Sequence, residues 1–189
     1  KGALAHGSKF RSPTLLLSAI TACGGGTPAP GDIVLRLGTG ADIGRVSLRE
    51  RNGGVEIRLR ASGLTPGLHG VHLHAVSKCE GPAFQSAGGH LNPAAKKHGH
   101  QNPEGPHQGD LGNLPSGGDG RADVTLTVPG TTLRALLGGS GISLVVHAAV
   151  DDDKTDPSGN SGPRVACAIL ANSSAGQLDR SIIRLVGFT

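Results

Sequence analysis

The sequence predicts an all-β fold, with seven or eight antiparallel strands arranged as a sandwich or a Greek-key barrel. Three observations predict it. Short runs alternate apolar with polar residues, the period of a half-buried strand. The 189 residues include 32 Gly and 12 Pro, which supply turns rather than helix interiors. Only Thr131 to Leu137 hints at a helix, and it is short. At this length one domain is the default. With three Phe and no Trp, Tyr or Met, its core must be built from Val, Leu, Ile and Ala.

Taken in order, Lys1 to Arg11 is basic and Thr14 to Ile20 is apolar, T-L-L-L-S-A-I. That run is too short to span a bilayer as a helix, but it fits the charged and apolar parts of an export signal. It ends I-T-A-C, which resembles the lipobox of bacterial lipoproteins and implies cleavage before Cys23 and lipid on its thiol. Residues 1–22 are therefore expected to be an export signal. Residues 23–31, rich in Gly and Pro, read as a flexible tether, and 32–170 as the folded domain. Residues 171–189 form an extension of undecided structure. The expected location is the periplasm or cell envelope, with a lipid anchor as the sole membrane contact. Without residues 1–22 the chain holds 15 basic and 14 acidic residues. That balance, with no basic stripe and no aromatic platform, argues against nucleic-acid binding.

In the domain, Ile33 to Leu37, Arg45 to Arg51 and Val55 to Ala61 alternate as strands do. Asn52-Gly53 between two of them is a hairpin signal. Val71 to Val76, Ala122 to Val128, Ile142 to Ala148 and Arg164 to Leu170 are further strand candidates. Two long connections interrupt them, Ser77 to Gly120 and Ala149 to Pro163. Long loops of this kind are usually functional.

The first connection and the strand before it are crowded with imidazole. Of nine histidines, seven lie between Gly67 and Asp110. His72 and His74, two apart on a predicted strand, share a face and can bind one metal. His147 ends another apolar strand. His90, His98, His107 and Asp110 each fall beside Gly or Pro in the long loop. Imidazole and carboxylate suit zinc or copper. Seven residues fall one short of the eight ligand atoms that two four-coordinate sites need, and one imidazole using both nitrogens supplies the eighth. The absence of Met argues against a blue-copper electron-transfer site.

The segments G-L-H-G-V-H-L-H, G-G-H-L-N-P, H-Q-G-D-L-G-N, L-V-V-H-A-A-V-D-D and S-G-N-S-G-P-R-V-A-C, in this order, resemble the copper,zinc superoxide dismutase family. The resemblance implies a Greek-key β-barrel of about eight antiparallel strands with two long functional loops. It implies one copper per subunit, on His72, His74, His90 and His147. It implies one zinc per subunit, on His90, His98, His107 and Asp110, with His90 as the bridge. Asp151 matches a carboxylate that links His72 to His98. Arg164 matches an arginine that attracts and positions the superoxide anion, the implied substrate. Cys79 and Cys167 match the family's disulfide, which leaves Cys23 as the odd thiol. Catalysis would rest on Arg164 and His90.

Several residues read as structural or solvated: His69 at the strand's entry, His100 in the loop, and Lys96 and Lys97 in a turn whose charge could also draw anions. The Cys79-to-His90 segment is longer than in eukaryotic members and His74 to Cys79 shorter, as in the bacterial exported branch. The eukaryotic dimer is accordingly not carried over, and a homodimer is left open. Pro157 stands where many members have a lysine. The alternative to an enzyme is a noncatalytic copper- or zinc-binding module of the same fold at the cell surface.

Overall fold

The computed structural model describes residues 32–139 and 141–170, besides Gly2. The expectations for the export signal, for Cys23 and its tether, and for residues 171–189 lie outside the described residues. Eight strands follow one another: β1 (Ile33–Leu37), β2 (Asp42–Arg51), β3 (Gly54–Ala61), β4 (Gly67–His74), β5 (Asp110–Ser116), β6 (Ala122–Pro129), β7 (Ser143–His147) and β8 (Arg164–Ile169). All pair antiparallel in one sheet of order β5-β4-β7-β8-β1-β2-β3-β6. The two ends of that order, β5 and β6, lie against each other without a hydrogen-bonded ladder, so the sheet curls into a nearly closed barrel.

The alternating strands behave as their pattern predicts. Val55, Ile57, Leu59 and Ala61 on β3 face inward with Leu35, Val46, Leu126 and Val128. Burying each large aliphatic side chain stabilises the fold by about 1.5–3 kcal/mol. The β2–β3 hairpin turns at Asn52-Gly53, where Gly53 takes φ 93°, and pairs Arg51 with Gly54.

The structure corrects three expectations. The connection from Ser77 to Gly120 is not strand-free, because β5 lies within it. Its sequence, D-L-G-N-L-P-S, has poor strand propensity. It becomes a strand because β4 offers it a partner, and Pro115 is tolerated at the end of the strand order, where β5 has one ladder partner. β4 starts at Gly67, four residues earlier than its apolar run, and ends two residues sooner, at His74. The expected helix shrinks to one turn, α1 (Leu133–Leu136), capped where the Thr132 side chain accepts the Ala135 N–H.

On the site half of the barrel, burial does not alternate. β7 is buried at every residue and β4 from His69 to His74. A second small core explains this: Phe84, Ala87, Val145 and Cys167, with Cys79 packed against them, lie under the long loop. There Cys79 and Cys167, 88 residues apart, form a disulfide with Cα atoms 5.7 Å apart. The loop therefore covers the outer face of β7 and β8 and is tied to it covalently.

Candidate metal centre

Strand geometry places His72 and His74 on one face of β4, and β7 beside it brings His147 to the same place. An isolated bridge between His74 and His90 draws in the loop. His72, His74 and His147 are buried and His90 is half-buried. One potential ligand atom from each of the four lies within 4.8 Å of the other three.

Hydrogen bonds decide which nitrogen each ring has free. His74 Nδ1 donates to the Gly88 carbonyl at 2.9 Å, and His147 Nδ1 donates to the Gly162 carbonyl at 2.9 Å. His72 Nε2 donates to Asp151 Oδ2 at 2.7 Å. Each bond fixes a tautomer and leaves a lone pair on the other nitrogen. Those nitrogens, His72 Nδ1, His74 Nε2 and His147 Nε2, together with His90 Nε2, are buried and have no hydrogen-bond partner. Buried polar atoms are normally satisfied. Four converging orphans of this kind are what a cation would satisfy, and a set of imidazoles is a donor set copper accepts.

Burial also keeps these rings neutral. It pushes His72 and His147 down to about 4 and His74 down to about 2, with the neighbouring imidazoles and, for His74 and His147, Arg164 adding to the effect. His90 is lowered as well, first by burial. Neutral imidazole is the ligating form, so this set is ready for a metal at physiological pH.

The second cluster meets at Asp110. Its Oδ1 lies 3.0 Å from His90 Nδ1, 3.0 Å from His98 Nδ1 and 3.2 Å from His107 Nδ1, and the His90 and His107 Nδ1 atoms are 3.3 Å apart. A tetrahedral ion with bonds of 2.0–2.1 Å would have ligand–ligand edges of about 3.3 Å. His72 also approaches His90, His98 and Asp110 within 4.8 Å. Its Nε2 is engaged by Asp151, however, and its Nδ1 faces the first cluster, so His107 completes the second. Asp110 Oδ2 accepts the Gly99 and His107 backbone N–H groups, each at 2.9 Å. Burial alone would raise the Asp110 carboxyl, but hydrogen bonds from His90, His98 and these backbone groups outweigh it and hold it well below its ordinary range.

Asp151 joins the clusters. One oxygen takes His72 Nε2 and the other lies 3.0 Å from His98 Nε2. Asn113 fixes the Asp151 backbone, accepting its N–H and donating to its carbonyl. His98, between two carboxylates, is lowered by burial but raised more by Asp110 and Asp151, to about 10.

A cavity of about 490 Å³ opens onto His74, His90 and His147. Arg164, also lining it, is half-buried at the start of β8. Its guanidinium donates to the Phe84 and Gly88 carbonyls at 2.6 and 2.7 Å. Burial lowers its pKa from the ordinary value. The Gly88 carbonyl thus orients both His74 and Arg164. His69 is buried away from the clusters, its ring nitrogens against the His147 and Thr65 carbonyls, and His100 is exposed beside Asp153.

The structure thus brings together His72, His74, His90 and His147; His90, His98, His107 and Asp110; Asp151; Arg164; and Cys79 with Cys167. Sequence reasoning missed the carbonyls of Gly88 and Gly162, the Asn113 clamp, and Gly159. At Gly159 (φ 62°) a Cβ would overlap Asp151 Oδ1 and lie 2.6 Å from His98 Nε2. Backbone carbonyls leave no mark on a sequence. Asn113 and Gly159 do fall in the quoted motifs H-Q-G-D-L-G-N and S-G-N-S-G-P.

Fold and site define a class, an antiparallel β-barrel with two adjoining clusters of potential metal ligands, His90 lying in both. Residues 43–170 match the family described as copper/zinc superoxide dismutase. The chain is 43% identical over 137 residues to "Superoxide dismutase [Cu-Zn] 1" of Aquifex aeolicus, covering 69% of this chain and 81% of that protein. It is 40% identical over 142 residues to the "Superoxide dismutase-like protein YojM" of Bacillus subtilis, covering 71% and 72%. Among solved structures, a double mutant of a SOD-like protein from Bacillus subtilis superposes with a TM-score of 0.73 at 39% identity, covering 75% of this chain and 97% of that one. The Cu/Zn superoxide dismutase from Brucella abortus superposes at 0.62 with 31% identity, covering 74% and 97%. The chain belongs to the copper/zinc superoxide dismutase family, and the two clusters fit that family's copper and zinc.

Proposed function

We propose that this protein dismutates superoxide, turning two superoxide anions and two protons into dioxygen and hydrogen peroxide. The observation that carries the reading is the set of four orphaned imidazole nitrogens, three of whose rings open onto a cavity shared with Arg164. In this reading His72, His74, His90 and His147 would hold copper through their orphaned nitrogens. His90, His98, His107 and Asp110 would hold zinc, His90 serving both. Bound copper would supply the one-electron chemistry, accepting an electron from one superoxide and giving it to the next, while zinc holds charge and geometry.

The chain's own groups do the rest. Arg164 supplies a fixed positive charge on the cavity wall, already locked by two carbonyls, and a planar donor fork suited to a small anion. Whenever its lone pair is not given to copper, His90 Nε2 would hold a proton for reduced substrate, with Nδ1 still in the Asp110 cluster. Asp151 keeps the His72 and His98 rings aligned. Export to an oxidising compartment is consistent with the Cys79–Cys167 disulfide. Together with I-T-A-C this supports a lipid anchor at Cys23, which the mass of the N-terminal peptide from the native membrane fraction would test.

The deciding experiment follows superoxide decay with protein loaded with both metals, before and after copper chelation. Chelation should return decay to background. Arg164→Ala should slow decay per bound copper about tenfold or more with both metals retained. A protein that binds both metals yet leaves decay at background would be the noncatalytic module instead.

A further inference from the structure

Six imidazoles make up the two clusters, and five of them have both ring nitrogens accounted for. Asp151 takes one nitrogen of His72 and one of His98, and backbone carbonyls take one each from His74 and His147. His90 has one nitrogen in each cluster. His107 is the exception. Its Nδ1 turns inward to Asp110 Oδ1, and its Nε2 makes no hydrogen bond among the described residues. The group that faces this Nε2 is a carboxylate. Asp156 Oδ1 lies 3.9 Å away, beyond hydrogen-bond length but within reach of an ion pair.

Asp156 belongs to the second long connection, 149–163, and reaches across to the first. The oxygen that faces His107 also accepts the His98 backbone N–H at 2.8 Å. The other oxygen lies 3.3 Å from Lys97 Nζ, which holds the carboxylate in place. Further contacts bring the two connections together. The Asp153 carbonyl accepts the Gln101 N–H at 3.0 Å, the Asp153 side chain accepts the His100 N–H at 2.8 Å, and the Lys154 carbonyl accepts the Asn102 side chain at 3.2 Å. Those contacts fall on residues outside both clusters. Asp156 instead addresses two members of the second cluster with one oxygen, His98 by its backbone and His107 by its ring. Among the described residues, no hydrogen bond or ion pair joins it to the first cluster.

We propose that Asp156 is a positioning residue of the second cluster: it sets His98 and His107 for zinc, and so ties zinc affinity to the packing of one long connection against the other. The inference rests on the assignment of zinc to that cluster. A metal on His107 Nδ1 draws electron density from the ring and makes its outer N–H a stronger donor, which a facing carboxylate stabilises. The backbone bond to His98 fixes where the neighbouring ring starts. Asp156 and Asp151 therefore differ in reach. Asp151 bonds one ring from each cluster, so its loss touches both metals. The loss of Asp156 should touch zinc and spare copper.

The test uses the full protein and does not depend on superoxide. Zinc and copper affinities are measured by competition with a chelator. The visible spectrum of cobalt(II) in place of zinc reports the arrangement of its ligands, and exchange of the His98 amide proton reports the backbone bond. Asp156→Ala should lower zinc affinity about tenfold or more, the range that loss of an outer partner costs. It should also alter the cobalt spectrum and speed His98 amide exchange, with copper affinity near the wild-type value. Asp156→Asn keeps an acceptor for the His98 N–H but loses the charge, so it should restore the amide protection and part of the zinc affinity. Lys97→Ala removes an exposed ion pair of small worth and should cost less than Asp156→Ala. A merely structural role would lower both metal affinities together and leave the spectrum of bound cobalt as in wild type. The proposal is overturned by that result, or if Asp156→Ala leaves zinc affinity and the cobalt spectrum unchanged. Failure of the zinc assignment looks different: the wild-type protein itself would take up neither zinc nor cobalt at the second cluster, and the proposal would fall with it.

Discussion

The four-imidazole cluster and the Asp110 cluster share His90, yet they are held in opposite ways. The first is framed by strands β4 and β7, and His72, His74 and His147 each have one nitrogen tied to an acceptor. Its inner nitrogens have no hydrogen-bond partner among the described residues. The second is framed by the long loop and the first residue of β5, and its atoms crowd one carboxylate oxygen. The first is therefore preorganised but unsatisfied, a neutral set shaped by backbone. The second carries charge of its own, since burial lowers His98 but Asp110 and Asp151 hold it up to about 10. The difference implies that freeing the Cys79 end of the loop, whose Gly88 carbonyl orients His74, should strike the first cluster, and loss of Asp110 the second.

The largest effect should come from the disulfide. Closing 88 residues contributes on the order of 4 kcal/mol to stability in the chain-entropy account. The Cys79→Ser, Cys167→Ser double variant should lose about that much in denaturant unfolding. Its metal loss should be one-sided. The Cys79 loop carries the Gly88 carbonyl that orients His74 and Arg164, so copper retention should fall more than zinc retention. Equal loss of both metals would erase the distinction between the clusters.

Asp110→Ala should do the reverse. It removes the oxygen on which three imidazoles converge, and zinc affinity should fall more than about a hundredfold, beyond what loss of an outer partner costs. The four nitrogens of the first cluster stay in place, so much of the copper should remain. Zinc retained at wild-type occupancy in metal analysis would show that Asp110 is not a ligand.

Gly159→Ala should fall between the clusters in kind and below both changes in size. A Cβ there meets Asp151 Oδ1 and His98 Nε2 at a backbone angle that disfavours alanine. Displaced, Asp151 would release His72 and His98 together, and affinity for both metals should fall about tenfold to a hundredfold. A loss confined to one metal would mean that Asp151 serves one cluster alone.

The same contrast explains what the sequence could reveal. On β3, Val55, Ile57, Leu59 and Ala61 alternate with polar residues because one face meets the core and the other meets water. That period is legible without any structure. β7 has no period, because the disulfide-bound loop buries its outer face at Val145. β5 has no propensity either and exists because β4 pairs with it. For the site, side chains with ligand chemistry were legible through spacing and motif: His72 with His74, His147 at a strand end, Asp110 after His107. What orients them was not, since the Gly88 and Gly162 carbonyls act through backbone, and any residue type has a carbonyl there. Gly159 acts through the atoms it lacks.

The last prediction is a pH dependence with two arms, one from each cluster, in the metal-free protein. Burial holds His72 and His147 at about 4 and His74 at about 2, against an ordinary 6.5. A group whose folded pKa is depressed binds fewer protons folded than unfolded. These three therefore contribute stability that is present above pH 6.5 and is lost as pH falls toward 4. His98 runs the other way. Burial lowers it, but Asp110 and Asp151 raise it further, to about 10. Its contribution is complete below pH 6.5 and is lost as pH rises through 10. The metal-free protein should accordingly be most stable near pH 6.5, with the acid arm steeper because more rings feed it. Zinc on His98 Nδ1 takes the place of the proton, so loading with zinc alone should flatten the alkaline arm and leave most of the acid arm. The measurement is the urea midpoint between pH 5 and 9.5, with and without zinc. A metal-free protein whose stability does not decline between pH 6.5 and 9.5 would show that the two carboxylates do not hold a proton on His98. The second cluster would then be as neutral as the first.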